Sequence, residues 1–458
     1  MKTHKAWSYA PYRPPFFEVG DIYICRVVPD ADSITFFWLP TGAATYTVCC
    51  ARRGETPQPV GETTDATFCI TGLETGAEYA FFVEADGKKS RTRLARCGTA
   101  FGTTVNYLHP EDDAYRFSGR FLCSPSLLRL PDGSLLASMD LFADDHPQNL
   151  TLIFRSDDDG KTWHYQCELF PCFWGKLFLQ GERVFMIACS TEYGDLLIGS
   201  SDDGGKTFGE PTVLLRGSGG KHAEAGVHKN PQPVVTFDGR LYNTLEWGNW
   251  GRGYHAPMVM SAPADADLLE ADNWTFSEPV RYDPTWPGVP AGPSTGNIEG
   301  CLAVVNGKLY NIMRYDMGKL SRKWGLAVAY AVNTDDPAAP LTYSHCIEFP
   351  GNNAKFEIQF DEKTARYYAI VSRITDEEHR GARNILSILT SKDAENWELF
   401  ADIMNCGDED PQKIGFQYVD FFIENGKIYY LCRTAMNGAD TFHNSNYSIF
   451  GTWDIASL

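Results

Sequence analysis

The stretch SDDDGKTW at 156–163 returns as SDDGGKTF at 201–208 and, decayed, as SKDAENW at 391–397. A turn that recurs in this way constrains the fold more than any composition does, because it demands a repeated supersecondary unit. A calcium loop would need oxygens at fixed spacing and a distal carboxylate. Here the acids are consecutive and no suitably placed Glu follows. The motif therefore reads as a structural turn.

From residue 118 onward one unit repeats. An apolar strand leads to an Asp-Gly or Asn-Gly pair, a second apolar strand and then a third. The pairs are Asp132-Gly133, Asp238-Gly239, Asn306-Gly307 and Asn425-Gly426, followed by strands such as RLYNTLEW, KLYNIMR and KIYYLCR. Such pairs favour the left-handed backbone of tight hairpins. Aromatic residues close the units at Trp163, Phe208, Trp274, Trp397 and Trp453. About six units fit into 118–458, the size of four-stranded propeller blades. No stretch has convincing helical periodicity; ADADLLEADNW allows a turn or two. Ahead of the repeats, SITFFW, TYTVCC, TFCITGL and YAFFVEA mark residues 17–100 as a separate β module. The expected fold is all-β, an N-terminal β-sandwich followed by a six-bladed β-propeller.

LETGAEYAFFV, with Leu73 six residues before Tyr79, resembles the tyrosine corner of fibronectin type III sandwiches, and Trp38 fits their core tryptophan. The alternative is a β-sandwich of no particular family. S-x-D-x-G-x-T-W resembles the Asp-box of sialidase-type propellers, where the Asp caps backbone amides and the aromatic residue packs between strands. The likeness extends to IEGCLAVVNGKLYNIMR, RNILSILTSKDAENW, GFQYVDF and FADDHPQNLTLIFRSDDDGKTW. By that resemblance Tyr418 is a nucleophile, Glu299 its activating partner, Asp144 or Asp145 the acid, and Arg314 and Arg383 bind an anion. A tyrosine suits a reacting carbon that carries a carboxylate, since a carboxylate nucleophile would be repelled there. The chain departs from the pattern at CSPS (123–126), where the family has an arginine in place of Cys123. Arg120 is the nearest substitute in sequence, and ordinary sialic acid is not the expected substrate.

Other polar clusters precede blade strands and would converge on the propeller axis. KHAEAGVHKNPQP supplies His222 and His228; LEWGNWGRGYH supplies Glu246 and Trp247; AKFEI supplies Lys355; RTAMNGADTFHNSNY supplies Arg433 and His443. His222 and His443 are candidate catalytic groups and the others candidate substrate binders. The 247–250 tryptophans serve either as a sugar platform or as loop packing. The expected activity is exo-acting glycoside hydrolysis of an acidic sugar. A propeller lyase using His and Tyr on a uronate, or a silent carbohydrate binder, are the rivals.

A formal net charge of −19 argues against nucleic acid or an acidic membrane as partner. No apolar run is long enough to cross a bilayer. The 13 cysteines show neither zinc spacing nor a disulfide framework. No cofactor or metal is expected. Free thiols, and the lack of an apolar core in MKTHKAWSYAPYRPP, lead to the expectation of a cytoplasmic protein.

Overall fold

The computed structural model describes Trp7 and residues 20–220, 224–290, 296–316, 325–351, 354–375 and 381–455, the side chain of residue 316 excepted. Among them the regular structure is strand, apart from 3-10 turns at Trp250–Arg252 and Ala271–Asn273. The second of these falls in the ADADLLEADNW segment.

Two small sheets come first. Ile24–Pro29, Ser33–Trp38 and Thr67–Thr71 form one; Gln58–Thr63, Tyr46–Arg52 and Glu78–Ala85 form the other, with two short strands on its edge. Alternation in SITFFW puts Ile34, Phe36 and Trp38 between the sheets, against Tyr46, Val48 and Phe81. The Tyr79 hydroxyl accepts from the Glu74 amide at 3.0 Å, tying the corner to its strand.

Six four-membered blades follow around one axis. Blade I is Phe121–Arg129, Leu135–Phe142, Thr151–Ser156 and His164–Leu169; blade II runs from Phe173–Gln180 to Thr212–Leu215. In blade III the first strand is broken into Gly226–His228 and Val235–Phe237, both paired with Arg240–Asn249. Blade IV begins at Gly296–Val305 and blade V at Glu357–Asp361. Blade VI holds Gly415–Glu424, Lys427–Ala435 and Tyr447–Asp454, and its outermost strand is Thr103–Tyr107, taken from ahead of blade I. The ring is thus closed by pairing distant parts of the chain. The sandwich pins that closing strand: the buried Arg26 guanidinium donates to the carbonyls of Val105 at 2.7 Å and Thr104 at 2.9 Å. Arg93 and Asp112, both buried, pair at 2.6 Å beside it.

Three of the four expected hairpins have both central residues left-handed: Asp238-Gly239, Asn306-Gly307 and Asn425-Gly426. The Asp132-Gly133 turn differs. Only Gly133 has positive φ, because Asp132 instead accepts from the Ser134 amide at 3.0 Å and its hydroxyl at 2.5 Å.

The recurring turns use their acids on themselves. Asp158 accepts from the Thr162 amide at 2.8 Å, its hydroxyl at 2.6 Å and the Ser156 hydroxyl at 2.8 Å. Asp203 does the same with Thr207 and Ser201. Gly160 is left-handed at φ 85°, and a Cβ there would lie 2.0 Å from Phe450 of blade VI. At 391–397 the glycine is replaced by Ala394 at φ 60°, whose carbonyl still takes the Trp397 indole N–H at 3.0 Å.

Asp158→Ala and Asp203→Ala are expected to cost about 1–3 kcal/mol each in urea unfolding, without changing the specific activity of folded protein. Those hydrogen bonds depress the Asp158 carboxyl to about 2, below the unfolded value of about 3.9. The stabilisation is therefore complete above pH ~4 and lost as the pH falls towards 2, so the Asp158→Ala deficit should vanish over that window.

Candidate functional site

Four first strands carry the same irregularity. Their pairing runs three residues against two, at Cys123/Ser126, Phe173/Lys176, Ile298/Cys301 and Gln417/Asp420. In each bulge the second residue is left-handed: Ser124 (φ 48°), Trp174 (56°), Glu299 (59°) and Tyr418 (54°). Such a conformation costs about 1–3 kcal/mol and persists only where the surroundings enforce it. The bulge turns the strand so that its second residue belongs to one end of the axis and its fourth to the interior. The fourth residues, Ser126, Lys176, Cys301 and Asp420, are all buried.

Two of the left-handed residues meet. The Tyr418 hydroxyl donates to Glu299 Oε1 at 2.7 Å across 119 positions of sequence. Arg314, the register partner of Ile298, donates to Glu299 Oε2 at 2.5 Å and to the Tyr418 oxygen at 3.3 Å. The Arg383 and Arg433 guanidinium carbons stand 5.7 and 5.1 Å from the Tyr418 ring centre. Burial and the Glu299 charge raise the tyrosine pKa, while the three arginines pull against them. Neutral phenol hydrogen-bonded to carboxylate is the resting arrangement. As the hydroxyl begins to share electrons, Glu299 can take its proton and the arginines stabilise the developing oxyanion.

Arg383 and Arg433 are also buried, yet among the described residues neither has a carboxylate in ion-pair contact. Arg383 donates to the Gln417 side-chain oxygen, and its Nε is buried without a partner. Desolvation lowers its pKa to about 10. Arg433 donates to the His443 carbonyl at 2.5 Å and the Ser445 hydroxyl at 3.3 Å. Two buried cations with no carboxylate partner among the described residues can be neutralised by an anion.

Arg433 stands near Cys123, the position where the resemblance calls for an arginine. Cys123 is buried, with its thiol pKa raised chiefly by that burial and the nearby Asp140 charge; Arg433 lies close enough to act on it electrostatically. Arg120 does not turn in, since its Nη2 donates to the Pro110 carbonyl at 2.6 Å. Phe142 packs against the His443 ring at 5.3 Å and Arg433 at 5.4 Å, which brings the end of that blade I strand to the pocket. Asp144 and Asp145 follow two and three residues later, exposed on the turn. Burial first, then Arg433 and Arg383, push the His443 pKa well below its ordinary value, so the ring is neutral.

Other sequence candidates fall differently. Lys355 is fully buried, with Nζ 3.2 Å from Glu357 and donating to the Val419 carbonyl at 2.7 Å; it belongs to the interior of the ring, not to an open pocket. Glu246 and His228 are buried against each other, Nδ1 to Oε2 at 2.6 Å, rather than open to a ligand. Trp247 packs on the blade III core, whereas Trp250 is exposed and meets the His255 ring edge-on at 4.5 Å. His222 lies outside the described residues.

Sequence reasoning missed several neighbours. The Tyr193 hydroxyl lies 3.1 Å from His255 Nε2, and Trp174 packs on both Tyr193 and His228. Burial first, then His228 and Arg314, depress His255 to about 2. Asp140, fully buried, is raised to about 7 by desolvation. Glu192 is buried with the Gln148 amide on it at 3.0 Å. None sits in a recognisable motif. Their common signal is a polar residue at the inner end of an apolar strand or in the loop after it.

No family model matches the chain, and no curated protein does. Solved structures do. An α-L-arabinanase of Penicillium chrysogenum, complexed with arabinobiose, is 13% identical over 78% of this chain and 99% of its own, with a TM-score of 0.52. The GH93 α-L-arabinofuranosidase of Fusarium graminearum with arabinobiose is 15% identical over the same shares, with a TM-score of 0.51. A PL25 ulvan lyase covers 95% of this chain and 94% of its own at 10% identity, but its TM-score of 0.45 is too low to argue from. At these identities the likeness is one of fold.

Because Arg383 is an unpaired buried cation, Arg383→Met should leave the thermal midpoint of the free protein unchanged or higher. Millimolar D-glucuronate is expected to raise the wild-type midpoint, and the same change should abolish that rise. Differential scanning calorimetry with and without glucuronate reads both effects.

Proposed function

We propose that the protein is a glycoside hydrolase that removes a terminal acidic sugar, with Tyr418 as nucleophile. The observation that carries this is the Tyr418–Glu299–Arg314 contact set, 2.7 and 2.5 Å, assembled from blades IV and VI on two left-handed residues. Tyr418 Oη attacks the anomeric carbon while its proton passes to Glu299. The bond to the leaving oxygen breaks, and that oxygen takes a proton from an acid on the rim, Asp144 or Asp145. Water then releases the sugar from the tyrosine, with the proton transfers reversed. Arg383 and Arg433 hold the sugar's carboxylate. Blades IV, V and VI bring Glu299 and Arg314, Arg383, and Tyr418 and Arg433 into one cluster, and a half-buried tyrosine walled by buried charges suits a chain end. The sugar-processing proteins that share the fold support a carbohydrate substrate.

A lyase is the second reading, favoured by one observation: the buried Tyr193–His255 pair beside Glu246, His228 and Trp174. Neutral His255 would take the proton α to a neutralised uronate carboxylate, a carbon–carbon double bond would form as the glycosidic C–O bond breaks, and the leaving oxygen would take the Tyr193 phenol proton, without water being consumed.

The products separate the two. With a uronate-terminated oligosaccharide we expect new reducing ends without absorbance at ~235 nm, where unsaturated uronates absorb. Tyr418→Phe and Glu299→Gln should each lower kcat by about 10²–10⁴. Absorbance at that wavelength, or a fully active Tyr418→Phe, would overturn the hydrolase reading. Among 4-methylumbelliferyl glycosides, the β-D-glucuronide should exceed the α-L-arabinofuranoside by about ten- to a hundredfold in kcat/KM, the worth of one charge-assisted contact. The α-sialoside should stay below about 10⁴ M⁻¹s⁻¹, the low end of ordinary enzymes. Efficient sialoside turnover would mean that Arg433 fully replaces the arginine absent at Cys123.

A further inference from the structure

The left-handed turn at Glu299 has an identifiable restraint. Glu246, on the second strand of blade III, is fully buried, and its Oε1 accepts from the Glu299 amide at 2.9 Å and faces the Gly300 amide at 3.5 Å. Its other oxygen is fixed by His228 Nδ1 at 2.6 Å. A carboxylate aimed at two successive amides is the geometry that a bulge needs, because the extra residue leaves its N–H outside the strand ladder. Gly300 packs closely on Asn311, and a Cβ there would lie 2.0 Å from the Asn311 Oδ1. Blade II repeats the device. Asp140, on the second strand of blade I, accepts from the amide of left-handed Trp174 at 2.6 Å. In both cases an acid on the second strand of one blade holds the bulge on the first strand of the next.

We infer that Glu246, braced by His228, is the positioning residue that holds Glu299 against Tyr418. Neither side chain is open to substrate, so both act through the backbone of Glu299. The inference rests on the reading of Tyr418 and Glu299 as the reacting pair. Without the carboxylate, the buried Glu299 amide has no acceptor. The left-handed conformation then relaxes, and the carboxylate swings off the tyrosine.

The test compares Glu246→Gln, which keeps an acceptor oxygen, with Glu246→Leu, which removes it, and Glu246→Asp, which withdraws it by one methylene. Crystal structures of the variants give the Tyr418 Oη–Glu299 Oε1 distance, and 4-methylumbelliferyl β-D-glucuronide gives kcat and KM. Glu246→Leu should lengthen the contact beyond about 3.5 Å, where it ceases to be a hydrogen bond. Its kcat should fall about 100-fold, as a displacement of about 1 Å can cause, with KM within about threefold of wild type. Glu246→Gln should restore both the contact and most of the kcat. If the leucine variant does not fold, Glu246→Asp carries the same readout with a smaller loss. A short Tyr418–Glu299 contact and wild-type kcat in the leucine or aspartate variant would overturn the inference. If Tyr418→Phe keeps full turnover, the reading of the reacting pair fails instead, while the distance still decides whether Glu246 positions Glu299.

Discussion

Asp420 holds the ring together. Both its oxygens take the Lys176 ammonium, at 2.5 and 2.6 Å, and one also takes the Leu127 amide at 2.5 Å, so one buried carboxylate joins blades VI, II and I. Lys355 continues the network from blade V through Glu357 and the Val419 carbonyl. Removing one partner from such a network would strand a charge without water, at a cost of several kcal/mol. Charges crowd here enough to move one another. The two cations keep Asp420 ionised, Glu357 is pushed up to about 8, and desolvation brings Lys229 down to about 7. Fewer full charges are then buried than the residue types suggest.

That network and the candidate site are two faces of one construction. In Gln417-Tyr418-Val419-Asp420 the second residue faces Glu299 and the fourth faces Lys176. Ile298-Glu299-Gly300-Cys301 repeats the spacing, with the Cys301 sulfur accepting from the Ile358 amide of blade V at 3.3 Å. The interior locks the fourth residues, while Glu246 and Asp140 hold the amides of the second residues Glu299 and Trp174, so these bulges are fixed from both sides.

This explains what the sequence could reveal. Strand alternation, Asn-Gly pairs and the S-x-D-x-G-x-T-W turns report on local backbone, and local rules suffice to read them. The Tyr418, Glu299 and Arg314 positions could be named because a known pattern fixes their order along the chain. The left-handed bulges could not be read: CSPS, FWGK, IEGC and QYVD share a conformation but no residue type at the turning position. The long-range bonds made from those turns decide their shape. Lys355 and Glu246 were misjudged for the same reason. A charged residue at a strand's inner end looks the same in sequence whether it meets solvent, a ligand or another blade.

The register partners of the four bulges, and of His228 in the unbulged blade III strand, differ in charge around the axis. Opposite Cys123, Phe173 and His228 stand Asp140, Cys189 and Glu246; opposite Ile298 and Gln417 stand Arg314 and Arg433. Blades I to III thus present acids or a thiol where blades IV and VI present guanidinium groups, and Arg383 adds to the cationic side. Among buried groups this separation makes a field directed across the site. Under the proposed function a sugar carboxylate is drawn towards the guanidinium groups of blades IV to VI, and its other substituents face blade I, where Asp144 and Asp145 are exposed. On that reading stabilisation of negative charge and supply of protons come from opposite sides of the site, and bond cleavage at a glycosidic oxygen requires both at once.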